Sequence, residues 1–522
     1  MKHKTSIIVI SQNVNYNKIK GIVNSLSKNS NSIIILSTHK LFEFEKNLFH
    51  SFNKLDIMFF TFADFLSPKE MDFIDEITFE KVLNSSFSSW DYARVYKKFL
   101  LYQVNQKVFQ NISQRFNIDK VYFTAIPAES YNLGVSWKFW KEQRAKRIYS
   151  VQNKFLIKSI IESLKNFKFG YKLIRHFNQL IWLFQNHKLY VHNSAEKLFV
   201  FTSLKRIKFT SNFKPTLLEY RPVSYFKLFS RNTLDDLFKR FIHKKIPESL
   251  HIKLVVAVPI HQYFNLKKIL YEPNFPIEVF EDAFRPPSLP HHYSGGIFAY
   301  GSFVVRDFFT QKYFQKANKQ TIKSYYFIQK PEFIVNSNKG KIASKTIILS
   351  LNHGIDYSAF VNRSDTDILI EAFCKLPPQF PNKNFIIRLH PTMNRPEAEG
   401  VNSKSRVANL VKHLKLSNLS VSKVSLEMDW ERGDIFISEF SLSALDAIRH
   451  GNLGLFVNLT DRKNFMDDFK KLGFPCVSSY EAMLETLKSM LVNSQKWHDL
   501  NLKAGNNYNK QLKDFYESAE YK

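Results

Sequence analysis

His390 and Pro391 close an apolar run, FIIRLHPTM (385–393), that otherwise reads as the middle of a sheet. An imidazole can give a hydrogen bond or a proton to an oxyanion, and a proline just beyond it fixes the course of the chain. Alone the pair carries no weight, since 16 His and 18 Pro in 522 residues would produce roughly half a His-Pro dipeptide by chance. Its company matters more. Asn352 and His353 follow the apolar run TIILSL, and Ser438, Ser441 and Ser443 follow DIFI and open the next amphipathic stretch. Three strand ends therefore bring His, Asn and Ser to one edge, beside helix N-termini whose unpaired N–H groups favour anions, which suits a phosphate. Upstream, IEVFEDAFR puts Glu278, Glu281 and Asp282 at the end of another apolar run. Desolvation there raises a carboxyl pKa and makes Asp282, with Glu281 second, a candidate general base.

Each of these residues also has a plainer role. Ser is among the preferred helix N-caps, and Ser441 stands where a cap is needed. His390 suits an ordinary strand end satisfied by backbone, and the acidic pair suits a solvated surface. Asp365-Thr366-Asp367 imitates a DxD metal motif but reads better as helix-capping chemistry ahead of ILIEAF, because the helix dipole favours carboxylates at an N-terminus. Arg388 falls on the opposite face from His390 in a regular strand and is left out of the site.

These residues need strands to carry them, and the sequence predicts an α/β chain. Short β-branched or aromatic runs, SIIVIS (6–11), SIIILST (32–38), LDIMFFTF (55–62) and KVYFTAI (120–126), alternate with helix-like stretches in the rhythm of a parallel sheet. KLVVAVP (253–259) and IEVFEDAF (277–284) resume it. The connection from Arg285 to about Lys345 shows little periodicity and is expected to be loop and linker. A second set then runs TIILSLNHG, TDILIEAFCKL, NFIIRLHP, SRVANLVKHLKL, DIFIS, SLSALDAIRHG and LGLFVNL, with Gly451 just past a helix end. The expected organisation is a first α/β domain over 1–330, interrupted by a basic helical insertion at about 151–245, and a second over 331–522 ending in a helical tail.

Composition narrows the possible functions. With 522 residues the chain exceeds the size of one hydrophobic core, in keeping with two domains. Fourteen glycines are few for Gly-rich phosphate loops or repeat arrays. The two cysteines, Cys374 and Cys476, lie far apart with no CxxC or His at ligand spacing, so neither a disulfide framework nor zinc is expected, and a cytoplasmic location fits. No run reaches about 18 uncharged apolar residues, so no transmembrane helix is expected. The net charge of +29 is uneven: residues 151–245 hold 19 Lys and Arg against 5 Asp and Glu, an excess of 14. Bases interleaved there with Phe, Leu, Ile and Trp fit a helix on an anionic membrane surface, at the inner face of the inner membrane; a core-facing helix pair with a solvated basic face fits equally. No nucleic-acid-binding signature accompanies the charge, and nucleic acid is not an expected partner.

The ordered set EDAF (281–284), LHP (389–391) and ISEFSLSALDA (437–447) resembles the bacterial sialyltransferases and polysialyltransferases, whose motifs run acidic pair, HP, Ser/Thr pair. The resemblance spans roughly 253–459. It departs at Ala283, where the family has glycine, and at Leu442, which splits the serine pair. It implies a GT-B-like fold of two Rossmann-like domains facing a central cleft, and transfer of a sialic acid-like or Kdo-like sugar from a CMP-activated donor to a surface glycan or lipid-linked glycan, with no metal and no cofactor beyond the CMP-sugar substrate. By the same resemblance Asp282 or Glu281 is the base, His390 serves the leaving phosphate, and Pro391, Ser438, Ser441, Ser443, Asn352 and His353 line the nucleotide site. ISEFSLSALDA is also similar to a stretch of the CDP-glycerol polymerases, which implies a CDP-alcohol phosphotransferase as the rival, with a non-catalytic GT-B-like binding protein as a third reading.

Overall fold

The computed structural model describes residues 4–10, 16–27, 32–38, 40–49, 56–83, 89–124, 136–148, 199–202, 216–217, 254–257, 277–281, 302–305, 307–316, 320–323, 346–351, 359–390, 403–460 and 466–517. Every strand pairing among them is parallel, and the strands form three sheets. The first contains β1 (Lys4–Ile10), β2 (Ser32–Ser37), β3 (Asp56–Thr61), β4 (Asn117–Thr124) and β5 (Lys146–Ile148) in the order β3-β2-β1-β4-β5. The second contains β6 (Phe199–Thr202), β7 (Thr216–Leu217), β8 (Leu254–Ala257), β9 (Ile277–Glu281), β10 (Ser302–Val305) and β11 (Gln320–Lys323) in the order β11-β10-β9-β8-β6-β7. The third contains β12 (Thr346–Ser350), β13 (Asn384–Arg388), β14 (Leu419–Val421), β15 (Ile435–Ser438), β16 (Leu453–Val457) and β17 (Cys476–Val477) in the order β14-β13-β12-β15-β16-β17. The first and third orders are those of the Rossmann type, and the second is of the flavodoxin type; all are doubly wound.

Burial on both faces explains why the apolar runs are nearly continuous. In the third sheet Ile347, Leu349, Phe385, Ile387, Ile435 and Ile437 join one core with helices Ala359–Phe373 and Tyr480–Val492, while their strand neighbours Ile348, Ile386 and Phe436 join another with Ala447. The first sheet divides likewise. Ile8, Ile10, Ile33 and Ile35 meet Ile19, Val23 and Leu26 of helix Tyr16–Leu26, and Ile7, Val9, Ile34 and Leu36 face the other way. Both divisions follow the period of two along a strand.

The α/β expectation holds, with three differences of detail. The connection expected to be loop and linker contributes β10, the helix Phe308–Lys316 and β11. Four-residue strands are too short to show periodicity, and β10 is defined by its pairing with β9 and β11. The expected helical insertion contributes β6 and β7 to the second sheet; the rest of 151–245, with its bases, lies outside the described residues. Asp365-Thr366-Asp367 lies within helix Ala359–Phe373 and not ahead of it, so its residues are not N-caps. Asp367 is buried and holds Arg406 instead. Gly451 ends its helix at φ 86°, with the Asn452 N–H reaching Ala447 O and the Gly451 N–H reaching Ile448 O, an arrangement that calls for a left-handed residue.

Among the described residues, an ionic and an aromatic junction stand out where these units meet. Arg406, in helix Ser403–Leu414, donates to Asp367 (2.8 Å), to Glu45 through Nε (3.1 Å) and Nη2 (2.9 Å), and to the carbonyl of Lys40; its guanidinium lies 4.0 Å from the Phe42 ring centre. Glu45 and Phe42 belong to the segment after β2, so this ionic junction fastens the first sheet's unit to the third's. The second junction is aromatic. Phe308 and Phe309, in the helix after β10, pack against Tyr508 of the C-terminal helix Ser494–Glu517 with ring centres 5.7 and 6.1 Å apart.

Candidate functional site

In a doubly wound sheet the ligand crevice opens at the carboxyl ends of the strands where the winding reverses. In the third sheet that point lies between β12 and β15, with β13 next to β12. The register sets Ser350 of β12 opposite Arg388 of β13, and Leu349 opposite Ile437 of β15, so the three strands end together. His390, half-buried two residues past β13, and the serines past β15 therefore stand at the ends of the two strands that flank β12 at the switch point.

A network of hydroxyls spans this edge. Ser438 is fully buried; its Oγ donates to Ser350 O (2.8 Å) and accepts from the Ser441 N–H (3.2 Å). Ser441 is the N-cap of helix Leu442–Arg449, its Oγ accepting from the Ser443 N–H (3.3 Å), as the plainer expectation for this residue held. The Ser443 hydroxyl then meets both Ser441 Oγ (2.6 Å) and Ser350 Oγ (2.5 Å). The helix begins with a pair of half-buried hydroxyls at its N-terminus, the positive end of its dipole, a combination that stabilises negative charge. Ser438, by contrast, spends its hydroxyl on the turn and positions the others in place of facing a ligand.

Arg388 is held elsewhere. Its Nη1 donates to Val424 O and Ser425 O (both 3.1 Å) and pairs with the fully buried Asp429, which also accepts from Ser422 Oγ (2.7 Å) and from Arg432. That clamp fixes the end of β13, two residues before His390, and agrees with the exclusion of Arg388 from the site. Two residues of this edge escaped the sequence argument. Ser350 looked like the last residue of a buried strand, and its hydroxyl partner lies 93 residues away. Glu439, in ISEFS, is only 5% exposed between Ser438 and the helix start, and the sole signal for it was an acid within an otherwise apolar strand end.

Glu281 is the last residue of β9, paired across from Val305, and so stands at the carboxyl edge of the second sheet. Asp282, Pro391, Asn352 and His353 lie outside the described residues. Among the described residues no group of three or more His, Cys, Asp or Glu is arranged to hold a metal ion, and no helix is long and apolar enough to cross a membrane. Burial pushes the thiols of Cys374 and Cys476 up to about 12, which keeps both protonated and unreactive at neutral pH.

No family model and no curated protein matches the chain. Among solved structures, it is similar to the UDP-GlcNAc 2-epimerase from Neisseria meningitidis bound to UDP-GlcNAc, at 12% identity over 62% of this chain and 99% of that one, with a TM-score of 0.39. It is similar to the sucrose-phosphate synthase from Thermosynechococcus elongatus at 12% identity, over 60% and 82% of the two chains, TM-score 0.38, and to Acinetobacter baumannii MurG at 9% identity, over 78% and 94%, TM-score 0.31.

Proposed function

We propose that the chain is a GT-B-like glycosyltransferase that uses a nucleotide-activated sugar, with a CMP-linked sialic acid-like or Kdo-like donor and a surface or lipid-linked glycan as acceptor. The observation that supports this best is the hydroxyl network at the β12/β15 switch point. Ser441 and Ser443 stand at the helix N-terminus after β15, one strand removed from β13 and the His390 that follows it, where a departing phosphate would find both dipole and donors. In this mechanism Asp282, or Glu281 beside it, removes the proton of the acceptor hydroxyl as that oxygen attacks the anomeric carbon. The bond from that carbon to the CMP phosphate oxygen breaks, and His390 gives the leaving phosphate a hydrogen bond or proton. Ser441, Ser443 and the helix terminus stabilise the developing charge. Pro391, Asn352 and His353 are assigned to the nucleotide pocket, and the bases of 151–245 to an anionic membrane surface.

Thermal shifts with CMP, CDP and UDP test the donor. Stabilisation by CMP above the other two is the expected result. A preference for CDP would favour transfer of an alcohol phosphate, a preference for UDP would overturn the CMP assignment, and no response to any of them would favour a binding protein. Asp282→Ala and His390→Ala should each cut sugar transfer by about two orders of magnitude or more with the melting temperature unchanged; normal transfer by both variants would remove them from the mechanism.

A further inference from the structure

Three serine hydroxyls meet where β12 and β15 end, and they hold one proton more than their mutual contacts use. Ser350 Oγ lies 2.5 Å from Ser443 Oγ, which lies 2.6 Å from Ser441 Oγ. A serine hydroxyl has one proton to give and two lone pairs to receive with. Two contacts among three hydroxyls therefore leave one O–H over.

Burial decides which way this chain of hydroxyls runs. Ser350 is 2% exposed, and among the described residues its hydroxyl meets Ser443 alone. If Ser443 gave its proton to Ser350, the Ser350 proton would stand in the interior without an acceptor, the costly state for a buried polar group. Ser350 therefore donates and Ser443 accepts. Ser350 is itself held firmly, since its carbonyl accepts from Ser438 Oγ (2.8 Å) and the next residue's N–H, that of Leu351, goes to Arg388 O (3.1 Å).

The surplus O–H then falls to the half-buried pair, Ser441 and Ser443. In one order Ser443 donates to Ser441, whose oxygen also accepts from the Ser443 N–H (3.3 Å), and the Ser441 proton is left over. In the other, Ser443 accepts from both Ser350 and Ser441, and its own proton is left over. Either way the remaining O–H belongs to an oxygen that already accepts twice, so it can only donate. Such a group suits a ligand atom that can only accept, such as an ionised phosphate oxygen. A hydroxyl that accepts is also polarised into a stronger donor.

We propose that Ser350 is a positioning residue of the phosphate site: from beneath the pair it donates to Ser443 and so fixes the proton order that makes Ser441 and Ser443 a donor toward an anionic oxygen. Ser350 acts through Ser443 and not by contact with the ligand. The inference rests on the reading of this edge as a nucleotide site, and adds to it a residue that the helix terminus alone would not need.

Titration of the full chain with CMP and cytidine, and with UDP and uridine, followed by ligand-observed NMR, tests it. Ser350→Ala should weaken the nucleotide about three- to tenfold, the worth of one ordinary hydrogen bond, and leave the matching nucleoside unchanged. Ser350→Cys fills the serine's volume with a weak donor and should behave as Ala does. Ser443→Ala should cost about tenfold or more, as a lost hydrogen bond to a charged group does. Adding Ser350→Ala to it should cost nothing further, because the two act as one unit. Melting curves check that each variant is folded. Full nucleotide affinity in Ser350→Ala or Ser350→Cys, equal loss of nucleotide and nucleoside, or additive losses in the double variant would each overturn the proposal. A wild-type preference for UDP overturns the CMP assignment and leaves the role of Ser350 to be read from UDP against uridine; no nucleotide binding by the wild-type chain overturns both.

Discussion

The two junctions that hold the third sheet's unit to the others use opposite physics. At one, a buried arginine is shared by Glu45, Asp367 and a backbone carbonyl. At the other, Phe308, Phe309 and Tyr508 form an aromatic contact. Apolar contact is non-directional and scales with area, so it holds units together without dictating one orientation. A buried ion network adds little net energy over apolar packing but is intolerant of misplacement, because a displaced partner leaves a charge in a dry interior. The ionic junction therefore sets how the first sheet sits on the third, and the aromatic junction supplies adhesion to the second.

Arg406→Ala should show the largest effect. It leaves Glu45 and Asp367 buried without their cation and is expected to cost about 3–5 kcal/mol in urea denaturation. Replacing Arg406, Glu45 and Asp367 together by Met and Leu should recover most of that loss; a triple variant as unstable as the single one would break the contrast. Phe309→Leu, at the aromatic junction, should cost about 1–2 kcal/mol, the range of ordinary core truncations. Equal losses at the two junctions would show that both act through packed area alone.

The alkaline limb of stability sharpens the comparison further. Burial, and then the nearby charges of Asp307 and Asp446, pushes the Tyr508 hydroxyl well above its ordinary value of 10.0. The unfolded phenol ionises near pH 10 while the folded one keeps its proton to higher pH. Its contribution is thus complete below pH 10 and lost as pH rises above it. Tyr508→Phe should flatten that decline in melting temperature above about pH 10, and an identical slope in both proteins would exclude Tyr508 as its source. The smallest effect is expected from Lys40→Met. The Lys40–Glu371 pair (2.5 Å) flanks the ionic junction, with side chains 26% and 19% exposed. Partial exposure holds the cost to about 0–1 kcal/mol, diminishing with salt.

Much of the fold was legible because buried parallel strands announce themselves as short β-branched runs between amphipathic stretches. SIIILST, TIILSLNHG and NFIIRLHP each contain a strand, at Ser32–Ser37, Thr346–Ser350 and Asn384–Arg388, somewhat shorter than the apolar runs suggested. The runs SFVV and QTIK did not stand out, because four residues set no period and their strand character comes from pairing with β9 and with each other. At the candidate site, the helix cap at Ser441 followed from residue type and position. The inward turn of Ser438 and the contact from Ser443 to Ser350 did not, since both depend on which strand lies beside which.

The sequence by itself determined that the chain is α/β with parallel sheets, that His390 and the serines stand at strand ends, and that the charge is unevenly distributed. These follow from local periodicity and composition, which neighbouring residues express without reference to the rest of the chain. Only the tertiary structure decided that β12 lies between β13 and β15, which brings those strand ends to one switch point. It also decided that Arg406 meets Glu45 across 361 residues. Strand order and long-range ion pairs are choices among many partners of similar local character. They are settled by complementarity over the whole packed surface, which no stretch of sequence contains.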